Sequence, residues 1–345
     1  MSPSLSRARL VELLERASGA RVAIVGDVML DVYLRGDVDR ISPEAPVPVV
    51  RVRERKLALG GAANVAQNVA AVGASCALVA TTGADAAGRT LRGMLAEIGA
   101  DGRGVLEVSR PTTTKTRVLA RVQQLVRFDE EDDAELSAAD ARRVVAALEA
   151  ALDGAHALVL EDYNKGMLVP PVIERSIALA RARGIPVVVD PKFRNFFCFR
   201  GATIFKPNRR ELESALGAAV DLDHPEALPE TLRRLQADHL LLTLGERGMV
   251  LVSSDGEVLR VPTTAREVYD VVGAGDTVTA YLASMLAAGA TAREAAIVAN
   301  FAAGVEVEKL GAATVAPEEV LAAFEEYSAR SDASAGALRA GRDRA

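Results

Sequence analysis

VAIVGD, residues 22–27, decides the fold. Four apolar residues follow one another without polar alternation and end in Gly-Asp. A strand apolar on both sides belongs in a sheet covered on both faces. The same kind of run recurs at CALVA (76–80), HALVL (156–160), IPVVVD (185–190) and HLLLTLG (239–245). Stretches of helical period separate several of them, at 62–73, 86–98, 138–152 and 169–183. A short amphipathic helix over 5–18 precedes them, with Leu10, Leu13, Leu14 and Ala17 on one side. Strand, helix, strand in this rhythm predicts an α/β fold with a mostly parallel central sheet.

Two segments break the rhythm. VPVVRVRERK (47–56) and TKTRVLARVQQLVRFD (114–129) are β-rich with interleaved charges. Such strands face water, so they predict a small accessory sheet that projects from the core and acts as a lid. The C-terminal third is helical. One helix runs from Asp276 to Ala288 and stops at Gly289; Thr291 and Glu294 form a capping box for the next, which reaches about Lys309. A last helix covers 317–327. From Ser328 the chain is polar and small-residue-rich, and a frayed tail is expected over 328–345. Residues 1–327 read as a single domain.

Half of the 345 residues are hydrophobic and 26% are charged, which excludes a disordered chain and a disulfide-stapled scaffold. The longest apolar stretch, 280–290, is about half of the ~20 residues a membrane span needs. No secretion signal is read at the N-terminus, so a cytoplasmic location is expected. Cys76 and Cys198 make no metal-ligand pattern and are expected to be buried thiols. With a net charge of −6, no Trp and no basic stripe, a nucleic-acid surface is excluded. An anionic ligand must be held by local devices.

The sharpest segment is VVGAGDTV (271–278), where glycines precede an acidic residue at a helix start. Exposed N–H groups at a helix N-terminus bind anions, and glycine lets a phosphate approach the main chain. Asp276 has two readings. It is a dipole-favoured or capping carboxylate, or it is a general base beside a bound phosphate. LGGAANVAQNVAAVG (59–73) places Gly60 and Gly61 before a helix with Asn64 and Asn68 on one face: either a plain turn with two solvated Asn, or a site for a polyhydroxylated ligand. In FKPNRRELE (205–213), Asn208 and Glu211 either form a capping box or organise a hydrated Mg²⁺. TLGERG (243–248) is a turn between strands or a passage beside a nucleotide. Asp27 and Asp31 end the first strand, where open α/β sheets bind ligands; an Asx-turn is the alternative.

Two motifs mislead. GADAAGRT (83–90) approaches a phosphate-binding loop, but Arg89 stands where the lysine is needed. GAGDTV is no dinucleotide fingerprint, because Val278 replaces the last glycine. His156, His224 and His239 have no metal or triad spacing around them.

In their order, these segments resemble the ribokinase-like (PfkB) carbohydrate kinases over about 20–327. GDVMLDVYLRGDVDRISPEAPVPVV, QQLVRFDEED, EDYNKG and DPK are similar to one branch, the heptose 7-phosphate kinases, in their stand-alone form. The resemblance implies a three-layer ribokinase-like sandwich with lid strands within about 34–56 and 112–129. It implies Asp276 as base and Gly273, Ala274 and Gly275 as anion hole. Asp31, Gly60, Gly61, Asn64 and Asp162 would hold the sugar. Asn208 and Glu211 would join the phosphate network, with Glu211 reaching Mg²⁺ through water. Thr243, Gly245, Gly248, Asn300 and Gly304 would flank ATP. Lys115, Arg117, Lys165 and Lys192 are candidates for the sugar's own phosphate. A homodimer through the lid is implied too. Another sugar kinase of the same fold, such as a fructokinase, is the rival. A non-catalytic sugar or nucleotide sensor and a dinucleotide dehydrogenase stand further off.

Overall fold

The computed structural model describes residues 5–342 apart from 122, 223–227, 266 and 310. The strands are β1 (Arg21–Gly26), β2 (Val28–Ile41), β3 (Pro48–Gly61), β4 (Ser75–Gly83), β5 (Asp101–Val108), β6 (Thr114–Ala120), β7 (Gln123–Glu130), β8 (Ala157–Glu161), β9 (Val187–Asp190), β10 (Ile204–Phe205), β11 (His239–Thr243), β12 (Met249–Ser253) and β13 (Val258–Val261). The helices are α1 (Arg7–Ser18), α2 (Ala62–Ala71), α3 (Ala86–Glu97), α4 (Ala138–Ala151), α5 (Pro170–Ala182), α6 (Arg209–Leu216), α7 (Leu228–Leu235), α8 (Ala274–Ala287), α9 (Ala292–Glu306) and α10 (Pro317–Arg342).

Among the described residues, nine strands make the central sheet in the order β13-β12-β11-β10-β9-β8-β1-β4-β5. From β5 to β11 every pairing is parallel; β12 and β13 turn back antiparallel at one edge. The continuous apolar runs are the middle strands. Residues 22–25, 157–160 and 187–189 are buried to the last side chain, as a doubly covered parallel sheet requires. Helices α1, α2, α8, α9 and α10 pack on one another, and α4 and α5 form a separate pair against the sheet. The fold class is therefore the α/β sandwich that the strand rhythm predicts.

The lid is a second sheet of four strands, in the order β3-β2-β6-β7. β2 pairs antiparallel with β3 and parallel with β6, and β6 pairs antiparallel with β7. Its root is buried and its tip is not. Val28, Met29, Leu30 and Val32 are core residues, whereas Val38, Ile41, Val47 and Val52 are exposed. The lid strands begin deeper than the sequence suggests, because β2 starts immediately after the Gly26–Asp27 strand end.

The C-terminus differs from expectation. The last helix continues past 327 to Arg342 rather than fraying from Ser328. The segment ARSDASAGALRAGR is rich in Ala and Arg, both strong helix formers, and holds no Pro. Cys76 is buried as expected, but Cys198 is only half-buried. His156 accepts from the Arg21 N–H at 3.0 Å and His239 meets the Ser253 hydroxyl at 3.0 Å. These contacts join neighbouring strands or their ends; His224 lies outside the described residues.

Gly26 shows how tightly the centre of the sheet is set. It faces Glu161 in the β1–β8 register, and a Cβ there would lie 2.2 Å from the Glu161 carbonyl oxygen. Backbone cannot yield as a side chain does. The expected cost of Gly26→Ala is about 3 kcal/mol of unfolding free energy, read by urea denaturation; an unchanged midpoint would show that the two strands separate freely.

Candidate active site

The carboxyl ends of neighbouring parallel strands deliver charged side chains to one place. β8 ends at Glu161, β9 ends at Asp190 and β10 leads into Lys206. All three are at most 4% exposed. Asp276 joins them from the first turn of α8, so that carboxylate oxygens of Glu161, Asp190 and Asp276 lie within 4.8 Å of one another. Three buried carboxylates repel one another and need cations. Lys206 Nζ donates to Asp190 Oδ2 at 2.8 Å, and Lys192 Nζ lies 3.5 Å from Asp190 Oδ1. Burial alone would raise the Asp190 pKa, but the two ammonium groups outweigh it and hold the carboxyl below its usual range. Glu161 has no hydrogen-bond partner on either oxygen, and burial followed by repulsion from Asp190 and Asp276 pushes it well up.

Asp276 is 6% exposed. Its Oδ1 accepts from the Tyr163 hydroxyl at 2.7 Å and its Oδ2 from the Asn64 amide at 2.6 Å. Neither bond is a helix cap, which removes the capping reading of this residue. Burial pushes its pKa up to about 6, against the opposing effect of the two hydrogen bonds. Gly273, at φ 99° in the left-handed region, is the N-cap of α8 and offers no capping side chain. Thr277 is the first residue bonded back into the helix, to the Gly273 carbonyl at 2.9 Å. The amides of Gly275 and Asp276 precede that bond and have no intrahelical acceptor, which makes an anion site at the positive end of the helix.

These groups form one wall of a cleft of about 830 Å³. Asp276, Gly273, Ala274 and Gly275 line it together with Asn208, Glu211, Thr243, Gly245, Gly248, Asn300, Gly304 and Lys192. Every residue expected on the nucleotide side thus reaches one cavity. Within it, Asn208 and Glu211 make the capping box: Asn208 Oδ1 accepts from Glu211 N at 2.9 Å, and Glu211 Oε2 from Asn208 N at 2.8 Å. Glu211 Oε1 also accepts from Lys192 at 2.6 Å. Each oxygen keeps a second lone pair, so Glu211 can still contact a hydrated Mg²⁺. Asn300 spends its amide N–H on the Pro262 carbonyl, at 2.9 Å.

The residues expected on the sugar are less uniform. Asp31, Gly60, Gly61, Asn64, Asp162, Lys115, Arg117 and Lys165 lie outside that cavity wall, towards the lid. Asn64, expected on the sugar, points its amide at Asp276. Asn64 and Asn68 are also buried, not solvated, and Asn68 accepts from the Thr277 hydroxyl at 3.2 Å. Gly61 is needed for close approach: a Cβ would stand 2.4 Å from the Asp27 carbonyl. Asp31 is ion-paired with Arg117, and Lys165 with Glu131 at 2.7 Å. Lys115 has no carboxylate within ion-pair distance among the described residues, and burial with repulsion from Lys165 pushes its pKa down. Asp162 accepts from Asn164 N at 2.7 Å and is pushed up to about 7, first by burial and then by Asp27. Asp27 is no Asx-turn residue. Its carboxylate accepts from the backbone N–H groups of Tyr163, Lys165 and Met167.

Sequence reading missed Glu161, Tyr163, Asp190 and Lys206. Three of them follow directly on short apolar strands, in VLE, VVD and FK, at the strand ends where open sheets bind ligands. That position was the available signal. Tyr163 carried none.

A helix terminus open to anions, a buried carboxylate beside it and a lidded cleft on a parallel sheet define an enzyme that moves a phosphoryl group onto a hydroxyl. The chain belongs to the pfkB family of carbohydrate kinases, whose model matches residues 20–319, and it is an ATP-dependent sugar kinase. It is 45% identical over 342 residues to the Bifunctional protein HldE of Rhodospirillum rubrum, covering 98% of this chain and 68% of that protein. It is 45% identical over 321 residues to the Bifunctional protein HldE of Citrifermentans bemidjiense, covering 92% of this chain and 66% of that protein. The chain thus spans about two thirds of the length of these relatives. Its fold is ribokinase-like. A phosphofructokinase-2 of Escherichia coli in complex with potassium superposes with a TM-score of 0.76 at 20% identity, covering 90% of this chain and 99% of that one. The ribokinase of Arabidopsis thaliana complexed with ribose and ATP gives 0.68 at 20% identity, covering 89% and 99%. No helix among the described residues is long and apolar enough to cross a membrane.

The compensation of the buried acids rests on Lys206. Lys206→Met should cost about 3–5 kcal/mol in urea denaturation, because Asp190 is left buried without its closest cation. A loss under about 1 kcal/mol would mean that Lys192 alone suffices.

Proposed function

We propose that the chain transfers the γ-phosphoryl group of ATP to the anomeric O1 of D-glycero-β-D-manno-heptose 7-phosphate, giving the 1,7-bisphosphate for lipopolysaccharide core precursors. The observation that carries phosphoryl transfer is Asp276, buried and hydrogen-bonded beside the open amides of α8 on the cleft wall. The heptose assignment rests on the branch-like segments 26–50 and 123–132 and on the relatives named HldE. Lys115, a half-buried lysine with no carboxylate within ion-pair distance among the described residues, suits the sugar's own phosphate. Arg117, Lys165 and Lys192 are each already paired with a carboxylate.

In this reading Asp276 accepts the O1 proton as that oxygen attacks the γ-phosphorus, and the bond to the ADP oxygen breaks. The Gly275 and Asp276 amides and the α8 dipole stabilise charge on the group in transit. Glu211 would hold a hydrated Mg²⁺ through water, and that ion would supply further positive charge at the phosphates. Thr243, Gly245, Gly248, Asn300 and Gly304 flank the nucleotide. Asp31, Gly60, Gly61 and Asp162 shape the sugar end under the lid, which excludes water on closing. The reaction runs in the cytoplasm, where ATP is supplied. The exposed Val38, Ile41, Val126 and Phe128 on the lid support pairing of two copies through it.

An ATP-consumption screen tests the assignment. Heptose 7-phosphate should be turned over at least about 10²-fold faster than fructose, fructose 6-phosphate, ribose or the unphosphorylated heptose, by the contribution expected of charge-assisted bonds to the phosphate. A better rate with fructose 6-phosphate would transfer the assignment to that sugar. Asp276→Asn should lower kcat by about 10³-fold or more while leaving ATP binding within about threefold; retained turnover removes Asp276 from the mechanism.

The base must be ionised to accept a proton. With its pKa raised to about 6, kcat/KM for the sugar should be level above that pH and fall about tenfold per unit below it. An acid limb near pH 4 would indicate an unperturbed carboxylate.

A further inference from the structure

Asp276 is an acid among acids. Glu161 of β8 and Asp190 of β9 face it from the sheet, and Glu306 of α9, pushed up to about 8 by burial and then Asp270, also feels its charge. Lys206 and Lys192 are the cations nearby, and both are engaged with Asp190. Neither lysine is hydrogen-bonded to Asp276; a different donor holds each of its oxygens. Asn64 is one donor and Tyr163 is the other.

The place of Tyr163 is fixed by its own turn. The Asp27 carboxylate gathers the N–H groups of Tyr163 at 2.9 Å, Lys165 at 3.0 Å and Met167 at 3.2 Å. Asn164 adopts φ 53° and donates its N–H to Asp162. A buried carboxylate thus holds the turn that carries the phenol. The ring lines the cleft, with Lys192 5.1 Å and Lys115 5.8 Å from its centroid. It is therefore the shared contact of the base, a lysine of the nucleotide side and a lysine of the lid.

We infer that Tyr163 is a positioning residue for the base: its hydroxyl and the Asn64 amide together clamp Asp276 in the orientation that meets an acceptor hydroxyl at the boundary between cleft and lid. The inference rests on Asp276 acting as base, but not on which sugar is the acceptor. Each carboxylate oxygen accepts one donor and retains a lone pair, so the acceptor O–H binds beside the clamp without displacing it.

Tyr163→Phe keeps the ring and its lysine contacts and removes only the donor. The full chain, without ligand, is labelled with ¹³C-aspartate and titrated by NMR, the Asp276 signal being assigned by its loss in Asp276→Asn. A donor to the ionised form lowers a pKa, so the Asp276 midpoint should rise by about one pH unit in Tyr163→Phe. An unchanged midpoint overturns the inference. In turnover, with heptose 7-phosphate or, if that is not phosphorylated, fructose 6-phosphate, the acid limb should move up equally. That gives about a tenfold greater loss below the limb than above it, where only the lost orientation acts, and an unchanged KM for ATP. A uniform loss at every pH with an unmoved limb would mark Tyr163 as merely structural. The NMR titration needs no sugar, so an error in the acceptor's identity does not touch it.

Discussion

A phosphoryl-transfer site must hold a negative base beside a group that is itself highly negative. This repulsion is the constraint the architecture answers. The α8 terminus supplies partial positive charge from uncapped amides, and Lys206 and Lys192 supply full charges one layer behind. Burial and the neighbouring Asp190 and Asp276 disfavour the ionised form of Glu161, which eases the crowding of negative charge in the cluster. Asp276, the proposed base, can therefore stand near a phosphate without expelling it, and its pKa, raised to about 6, still leaves it ionised at neutral pH.

The parallel sheet makes this arrangement possible. Glu161 and Asp190 are register partners on adjacent strands, and Lys206 stands one residue past the next strand's end. Their separation is set by strand spacing and not by flexible loops. Gly26, opposite Glu161, keeps that pairing close. A buried ion pair of this kind adds little to stability over apolar packing, but removing one partner is costly. Its value here is positional, since it keeps charged side chains at fixed depth under the cleft.

The legibility of the sequence follows the same physics. β1, β4, β8, β9 and β11 could be read because burial on both faces makes their runs continuously apolar. The α8 terminus could be read because glycine before an acidic first turn is a local pattern. β10 could not be read, since two residues carry no period. β2 was partly hidden because its first half is core and its second half faces water. Asn208 and Glu211 had two local readings, a capping box or a hydrated Mg²⁺ site: the capping box forms, and it lines the cleft where the Mg²⁺ reading is proposed. Tyr163 and the inward turn of Asn64 depend on which strand ends meet α8. That is a property of the topology, and no window of sequence contains it.

The lid completes the logic of the site. β2 leaves the core directly after Asp27, whose carboxylate anchors the 163–167 turn, and β6 hydrogen-bonds along β2 in parallel. Lys115 on β6 consequently stands over the ring of Tyr163, whose hydroxyl holds the base. One strand end therefore links the lid, the turn and the base through contacts of a few ångströms. In the proposed reaction, an anionic sugar that drew Lys115 towards itself would act on the same ring that bonds Asp276. Substrate selection at the lid and proton acceptance in the cleft would then be served by one connected set of contacts and not by two independent sites.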